Sequence, residues 1–270
     1  MSSSQETIVI KYGGNAMIDE PLKRSILKNV VDIHKAGKRI VIVHGGGPFI
    51  NAILDKVQIQ SEFIGGHRKT TPEAMKYIEM ALKGEVNTSL VGLVNSLGAK
   101  AVGLSGKDGG MITTKKRFHY EGDKQIDLGQ VADVATVQPE ILNDLLDKGY
   151  IPIVACVSAD KDGVSYNINA DMMAGAIAGA LKAEYLVLTD VDGIRRDKDD
   201  PGSLITEVAL AQIPEMMHSV IVGGMIPKIE SCQQAIEAGS GRARIINGTK
   251  PEQLIEAINT TNQVGTTITK

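Results

Sequence analysis

Tryptophan is absent from this 270-residue chain and phenylalanine occurs three times, so the aromatic platforms on which single-stranded nucleic acid stacks are missing. Positive charge is not in excess either. Lys and Arg number 29 against 32 Asp and Glu, a formal net charge of −3, which gives no electrostatic reason to expect nucleic acid or an anionic membrane as partner. No apolar run reaches the ~18 residues needed to cross a bilayer. Residues 1–6 lack the basic-then-apolar pattern of a signal peptide. The only cysteines, Cys156 and Cys232, are far apart in sequence, which fits a reducing compartment and core packing. A cytoplasmic protein is expected.

What is present points to a folded α/β protein. Apolar residues make up 43% and charged ones 23%, which excludes general disorder. Short β-branched runs alternate with helical patterns, predicting strands at residues 7–12, 39–44, 100–104, 151–157, 185–190 and 242–247. These runs are continuously apolar, as strands covered on both faces are. Between them, Leu22, Ile26, Val30 and Ile33 share one helical face; Ile141, Leu142, Leu145 and Leu146 share another ahead of Gly149. Asn169 stands where an N-cap would open a helix over Ala170–Leu181. The rhythm predicts an open, mainly parallel central sheet sandwiched by helices, with two lobes sharing the sheet. No Gly/Ser/Pro linker divides the chain, and a soft boundary is expected near Leu181, separating residues 1–181 from 182–270. Residues 111–129 read as a surface hairpin and residues 195–204 as a loop.

Ligands of open α/β sheets gather at the carboxyl ends of strands, and here those ends are rich in glycine. The first strand ends in Lys11-Tyr12-Gly13-Gly14 and the second in His44-Gly45-Gly46-Gly47; the third leads into Ser105-Gly106-Lys107-Asp108-Gly109-Gly110. Glycine lets backbone approach a ligand and aim N–H groups at an anion. A helix starting after Gly47, with Pro48 in its first turn, adds a positive dipole end. One such cluster, taken alone, is better read as a tight strand-to-helix turn. Three at successive strand ends favour an anion site. The standard fingerprints are missing: Asp108 follows Gly106-Lys107 where a P-loop needs Ser or Thr, and Ile50 occupies the place of the third dinucleotide-binding glycine. There is no HExxH, GxSxG or Asp-Phe-Gly motif.

The candidate charged residues are ambiguous one at a time. Lys11 closes an apolar strand and Lys228 follows Gly223-Gly224-Met225-Ile226-Pro227, yet a lysine in either place is usually just solvated. Asp171 suits the first turn of its helix for dipole reasons alone, and Asn167 suits a turn. Arg68 lies in a polar loop before a helix start at Thr71-Pro72; it could clamp a carboxylate in bidentate fashion or be a surface charge. His44 reads as a structural hydrogen-bonding residue rather than a base.

In order along nearly the whole chain, these motifs resemble those of the amino-acid kinase family. The resemblance is carried by residues 11–14, 44–47, 66–68 and 103–110, then Asn167-Ile168-Asn169-Ala170-Asp171, Thr189-Asp190-Val191-Asp192-Gly193 and residues 223–228. It implies that Lys11 and Lys228 neutralise a phosphoryl group in transfer, that Asp171 holds both ammonium groups, and that the N–H groups of Gly14, Gly46 and Gly47 line the path. Arg68 and Asn167, with Gly46 and Gly47, would grip the acceptor. Thr189, Asp190, Asp192, Gly193, Gly223 and Met225, with Lys11 and Lys228, would bind ATP, whose Mg²⁺ is held mainly by the phosphates. The implied lobes are 1–181 for the amino-acid substrate and 182–270 for ATP.

The implied acceptor is N-acetyl-L-glutamate, phosphorylated on its side-chain carboxylate in arginine biosynthesis. Such a carboxylate, with a reference pKa of about 4.3, needs no general base at pH 7. Carbamate, glutamate, aspartate, a nucleoside monophosphate or a carrier-linked aminoadipate are alternatives on the same scaffold. A non-catalytic sensor is the alternative outside it, against which Lys11, Lys228 and Asp171 argue. Lys69 stands where small apolar residues are commoner in the family, which leaves the packing of the substrate loop open. Members inhibited by arginine carry an extra N-terminal helix and a characteristic C-terminal run; here six residues precede the first strand and the end reads as residues 258–266. A homodimer insensitive to arginine is therefore expected.

Overall fold

Ile8, Val9 and Ile10 are all at most 1% exposed, and their strand, β1 (Thr7–Tyr12), is an interior strand of the sheet. The computed structural model describes residues 6–197, 199–217, 219–259 and 263–270. From β1 the chain passes through α1 (Glu20–Lys35), β2 (Arg39–His44), α2 (Gly47–Lys56), a hairpin of β3 (Glu62–Ile64) and β4 (His67–Lys69), and α3 (Pro72–Glu79). A π-helical segment, Met80–Asn87, joins α3 to α4 (Thr88–Ser96). Then come β5 (Ala101–Ser105), β6 (Ile112–Glu121), β7 (Lys124–Val137), α5 (Glu140–Asp147), β8 (Ile151–Ala155), β9 (Val157–Ala159), β10 (Ser165–Ile168) and α6 (Ala170–Leu181). The remainder is β11 (Glu184–Thr189), β12 (Ile194–Arg195), β13 (Leu204–Ile205), β14 (Glu207–Ala209), α7 (Ile213–Met216), α8 (Ile226–Glu237), β15 (Ala243–Asn247), α9 (Pro251–Asn259) and β16 (Thr266–Thr269).

Eight strands make one sheet in the order β14-β16-β15-β11-β1-β2-β8-β5. Its six central and right-hand strands are parallel, and β16 runs antiparallel to β15. Ile8 and Ile10 of β1 pack on one face with Ile26 and Val30 of α1, Leu90 of α4 and Leu254 of α9. Val9 faces the other way, toward Met173 and Ile177 of α6 and Ile229 and Ile236 of α8. Burial on both faces is why these strands read as unbroken apolar runs. Each such side chain contributes roughly 1.5–3 kcal/mol when fully buried.

The helix starts follow their capping residues. Asp19 Oδ1 accepts from Leu22 N at 2.9 Å, Thr71 Oγ1 from Ala74 N at 3.1 Å, and Asn169 Oδ1 from Asp171 N at 2.8 Å. In the β3–β4 hairpin Gly65 and Gly66 both have positive φ, 53° and 79°, as a two-residue turn of this hand requires.

Three expectations about the strands and their glycine turns change. The strand expected over residues 151–157 breaks at Cys156, whose carbonyl accepts from Ile168 N, so that β9 leaves the main sheet. The hairpin expected at residues 111–129 runs on to Val137, and β6, β7, β9 and β10 close into a small barrel instead of a free excursion. The third glycine cluster lies beyond β5, the edge strand three places from β1. There Asp108 Oδ2 accepts from Ser105 N at 2.6 Å, and a Cβ on Gly106 would sit 2.7 Å from that of Ser158. Its glycines serve a turn and close packing. Of the C-terminal run behind the arginine expectation, residues 260–262 lie outside the described residues.

α6 and α8 pack with backbones almost touching: a Cβ on Gly175 would run into the carbonyl oxygen of Ser231. Gly175→Ala is therefore expected to cost about 1–3 kcal/mol by overpacking, read as a lower urea midpoint. A midpoint equal to wild type would mean that this helix pair has slack.

Candidate active site

β1 is the place where the sheet reverses its build. From β1 the chain adds β2, then β5 and β8, on one side and returns to add β11 and β15 on the other. The crevice between the carboxyl ends of β1 and β11 is thus a topological switch point, where ligands of such sheets bind. Lys11 is in register with Val43 of β2 and Val187 of β11, so its side chain emerges in that crevice.

Asp171 meets it from the N-terminus of α6, and Lys228 from the first turn of α8. Lys11 Nζ is 3.2 Å from Asp171 Oδ1 and Lys228 Nζ is 3.4 Å from Oδ2. The three side chains are 10, 9 and 16% exposed in the order Lys11, Asp171, Lys228, so one carboxylate holds two ammonium groups nearly out of water. Burial pushes the Asp171 pKa up, but the two ammonium charges and hydrogen bonds outweigh it and hold the carboxyl below its ordinary value. Burial, then the Lys11 charge, pulls Lys228 below 10.5, against the opposing pull of Asp171. The cluster carries a net positive charge without an anion.

Of the glycines beside it, Gly14 is the one held by its backbone conformation. A Cβ on Gly13 would lie 3.3 Å from Lys11 Nζ, and Gly14 has φ of 73°. Gly45 packs against Ala170 at the start of α6, Gly46 precedes α2, and Gly47 is its first residue. A Cβ on Gly46 would come within 2.7 Å of Leu82 in the π-helical segment. His44 is buried, with Nδ1 donating to Gly45 O at 2.8 Å and Nε2 accepting from Asn87 Nδ2 at 2.9 Å. Burial lowers its pKa to about 4, so it is a neutral strut.

A cavity of about 490 Å³ opens from the lysines toward the β11 turn. Thr189, Asp190, Gly193, Met225 and Lys228 line it, as do Lys11 and Gly14. Gly223 (φ 54°) precedes that wall without lining it. Asp192 turns away: Oδ1 accepts from Lys250 at 2.7 Å and Asn247 at 2.9 Å, and Oδ2 from Arg195 at 2.9 Å. The hydrogen bond from Lys250, then that from Asn247, lowers its pKa to about 2. Its carboxylate ties the turn to the end of β15 rather than facing the cavity. Sequence reasoning missed Leu188, Val220, Val222 and Thr249 in the wall. Thr249 was reachable by the strand-end rule, since it follows β15.

Arg68 and Asn167 lie on β4 and β10, neither of which belongs to the main sheet. Asn167 is four residues before Asp171 and pairs with Val131 and Val157. Arg68, 8% exposed, donates to Asn51 Oδ1 on α2 at 2.6 Å and to Ser61 Oγ.

Comparison with known proteins follows the same line. The profile of the Amino acid kinase family matches residues 6–247. The chain is 45% identical over 274 residues to an acetylglutamate kinase of Heliobacterium modesticaldum, covering 99% of this chain and 93% of that protein. It is 44% identical over 269 residues to an acetylglutamate kinase of Moorella thermoacetica, covering 97% and 91%. Among solved structures, the Streptococcus mutans protein smu.665 superposes with a TM-score of 0.78 at 30% identity, over 97% of this chain and 98% of that one. A Giardia lamblia carbamate kinase bound to AMP-PNP shares the fold, with a TM-score of 0.71 at 18% identity over 99% of both chains.

Because Asp171 alone supports protonation of Lys228 against burial and Lys11, Asp171→Asn is expected to move the Lys228 titration further below 10.5. An NMR titration of the Lys228 side chain reads this; an unmoved midpoint would show that the carboxylate does not govern the pair.

Proposed function

The chain belongs to the amino acid kinase family, and on that premise we propose that it transfers the γ-phosphoryl group of ATP to the side-chain carboxylate of N-acetyl-L-glutamate, giving N-acetyl-L-glutamyl 5-phosphate in arginine biosynthesis. The observation that carries the reading is the single carboxylate of Asp171 holding Lys11 and Lys228 at the switch point, at the mouth of the cavity beside β11. Two anions must be brought together in this reaction. A desolvated cluster of net positive charge, with backbone N–H groups on one side, addresses that difficulty directly.

Residues 182–270 would hold the nucleotide along the cavity wall, and residues 1–181 the acceptor. Lys11 and Lys228 would neutralise the phosphoryl oxygens as they pass, with the N–H groups of Gly14, Gly46 and Gly47 aimed at the same group. Arg68 and Asn167 would fix the acceptor carboxylates. His44 offers no free nitrogen for base chemistry, and an ionised acceptor requires none. The described residues hold no cluster of three or more His, Cys, Asp or Glu able to cage a metal. A Mg²⁺ ion arriving with ATP would be held mainly by phosphates, supplying charge neutralisation there. The reading includes a cytoplasmic location, which the buried free thiols of Cys156 and Cys232 support, and a homodimer.

A hydroxamate trap for acyl phosphate, run with ATP, Mg²⁺ and a panel of acceptors, is expected to give product with N-acetyl-L-glutamate. Product from carbamate or free glutamate alone would overturn the acceptor. Lys11→Ala should lower kcat by roughly 10²–10³-fold, the scale of losing one transition-state donor, while nucleotide binding by calorimetry largely persists. Turnover equal to wild type would remove Lys11 from the mechanism. Steady-state rates should not change with added L-arginine, and light scattering should give twice the chain mass; inhibition or a monomer would refute the respective assignment.

A further inference from the structure

Arg68 is buried among neutral groups. Beyond the bonds to Asn51 and Ser61, its guanidinium carbon lies 4.6 Å from the centre of the Phe63 ring. Asn51, Ser61 and Phe63 are themselves exposed, so the guanidinium is one side chain deep. Among the described residues no carboxylate forms an ion pair with it. Asp55, one turn further along α2, acts on it only from a distance.

A guanidinium withdrawn from water without a counter-charge is unfavourable, and an anion that reaches it gains accordingly. Its five N–H donors form a planar fork. Asn51 and Ser61 engage one terminal nitrogen each, and Phe63 covers a face. The plane is therefore fixed while hydrogens remain for a bidentate partner. Asparagine at position 51 makes this possible: aspartate has nearly the same shape, but would supply the missing charge from within. We propose that Asn51 is a positioning residue that sets acceptor specificity, aiming Arg68 at an acceptor carboxylate while leaving its charge uncompensated. The inference rests on the reading of Arg68 as an acceptor-binding residue.

Two variants test it against wild type in steady state. Asn51→Asp keeps the hydrogen bond and adds a charge. It is expected to raise KM for N-acetyl-L-glutamate by about tenfold or more, to leave KM for ATP within about twofold, and to melt no lower than wild type. Asn51→Ala loosens the fork but leaves its charge, and should raise acceptor KM by a smaller factor. An acceptor KM in Asn51→Asp within about twofold of wild type overturns the proposal, as does an equal rise in both variants or a parallel rise in both substrates' KM. Should Asn51→Asp not fold, an unchanged acceptor KM in Asn51→Ala overturns it alone. Wild-type enzyme that makes no product from N-acetyl-L-glutamate rejects the functional reading and this inference with it; failure in the variants beside an active wild type rejects the inference only.

Discussion

One carboxylate between two lysines is the constraint on which the rest depends. At about 4 Å and an effective dielectric near 20, opposite unit charges attract by about 4 kcal/mol, and like charges repel on the same scale. Lys11 and Lys228 can therefore share a nearly dry crevice only because Asp171 stands between them. Three unrelated pieces of structure deliver these groups. β1 carries Lys11 one residue before its end, the Asn169 cap fixes the turn that carries Asp171, and the contact of Gly175 with the Ser231 backbone fixes how far α8 stands from α6. A packing error in the helix layer is thus an error in the charge geometry.

The sheet was legible because its strands are covered on both faces. Residues 7–12 and 39–44 form strands with the expected ends, since a run of β-branched residues meets glycine at once. The strand at residues 151–157 read too long because nothing in its apolar sequence marks Cys156, where pairing passes from β5 to β10. The barrel was unreadable for a related reason. Its closure joins β6 to β9 and β7 to β10 across long separations, while only the local β6–β7 hairpin leaves a sequence pattern.

At the site, strand-end glycines and lysines were readable as a class, but not sorted into those near the crevice and those far from it. The cluster after β5 looks like the two after β1 and β2, and only the strand order puts it at the sheet edge. The family resemblance puts Asp192 at the nucleotide together with Thr189 and Gly193. Its partners Asn247 and Lys250 lie more than fifty residues away and take its oxygens. Arg68 illustrates the reverse. The sequence shows the charge and the loop, but that no carboxylate among the described residues pairs with it emerges only when α2 and the β3–β4 hairpin come together.

The two sides of the crevice differ in their physics. Toward β11 the cavity wall is mostly turn backbone and aliphatic side chains, with the carboxylate of Asp192 used up in holding it. On the proposed reading such a wall would select by shape. Toward β4 a desolvated cation has no ion-pair partner among the described residues, which on the proposed reading would select by charge. Between the two sides the charge state is fixed: His44 is neutral, with its pKa near 4, and Asp171 is held below the usual carboxylate range. Neither of these two groups is poised to shuttle a proton, so on the proposed reading the site contributes positive charge already in place, and that charge survives burial only as long as Asp171 keeps both lysines within reach.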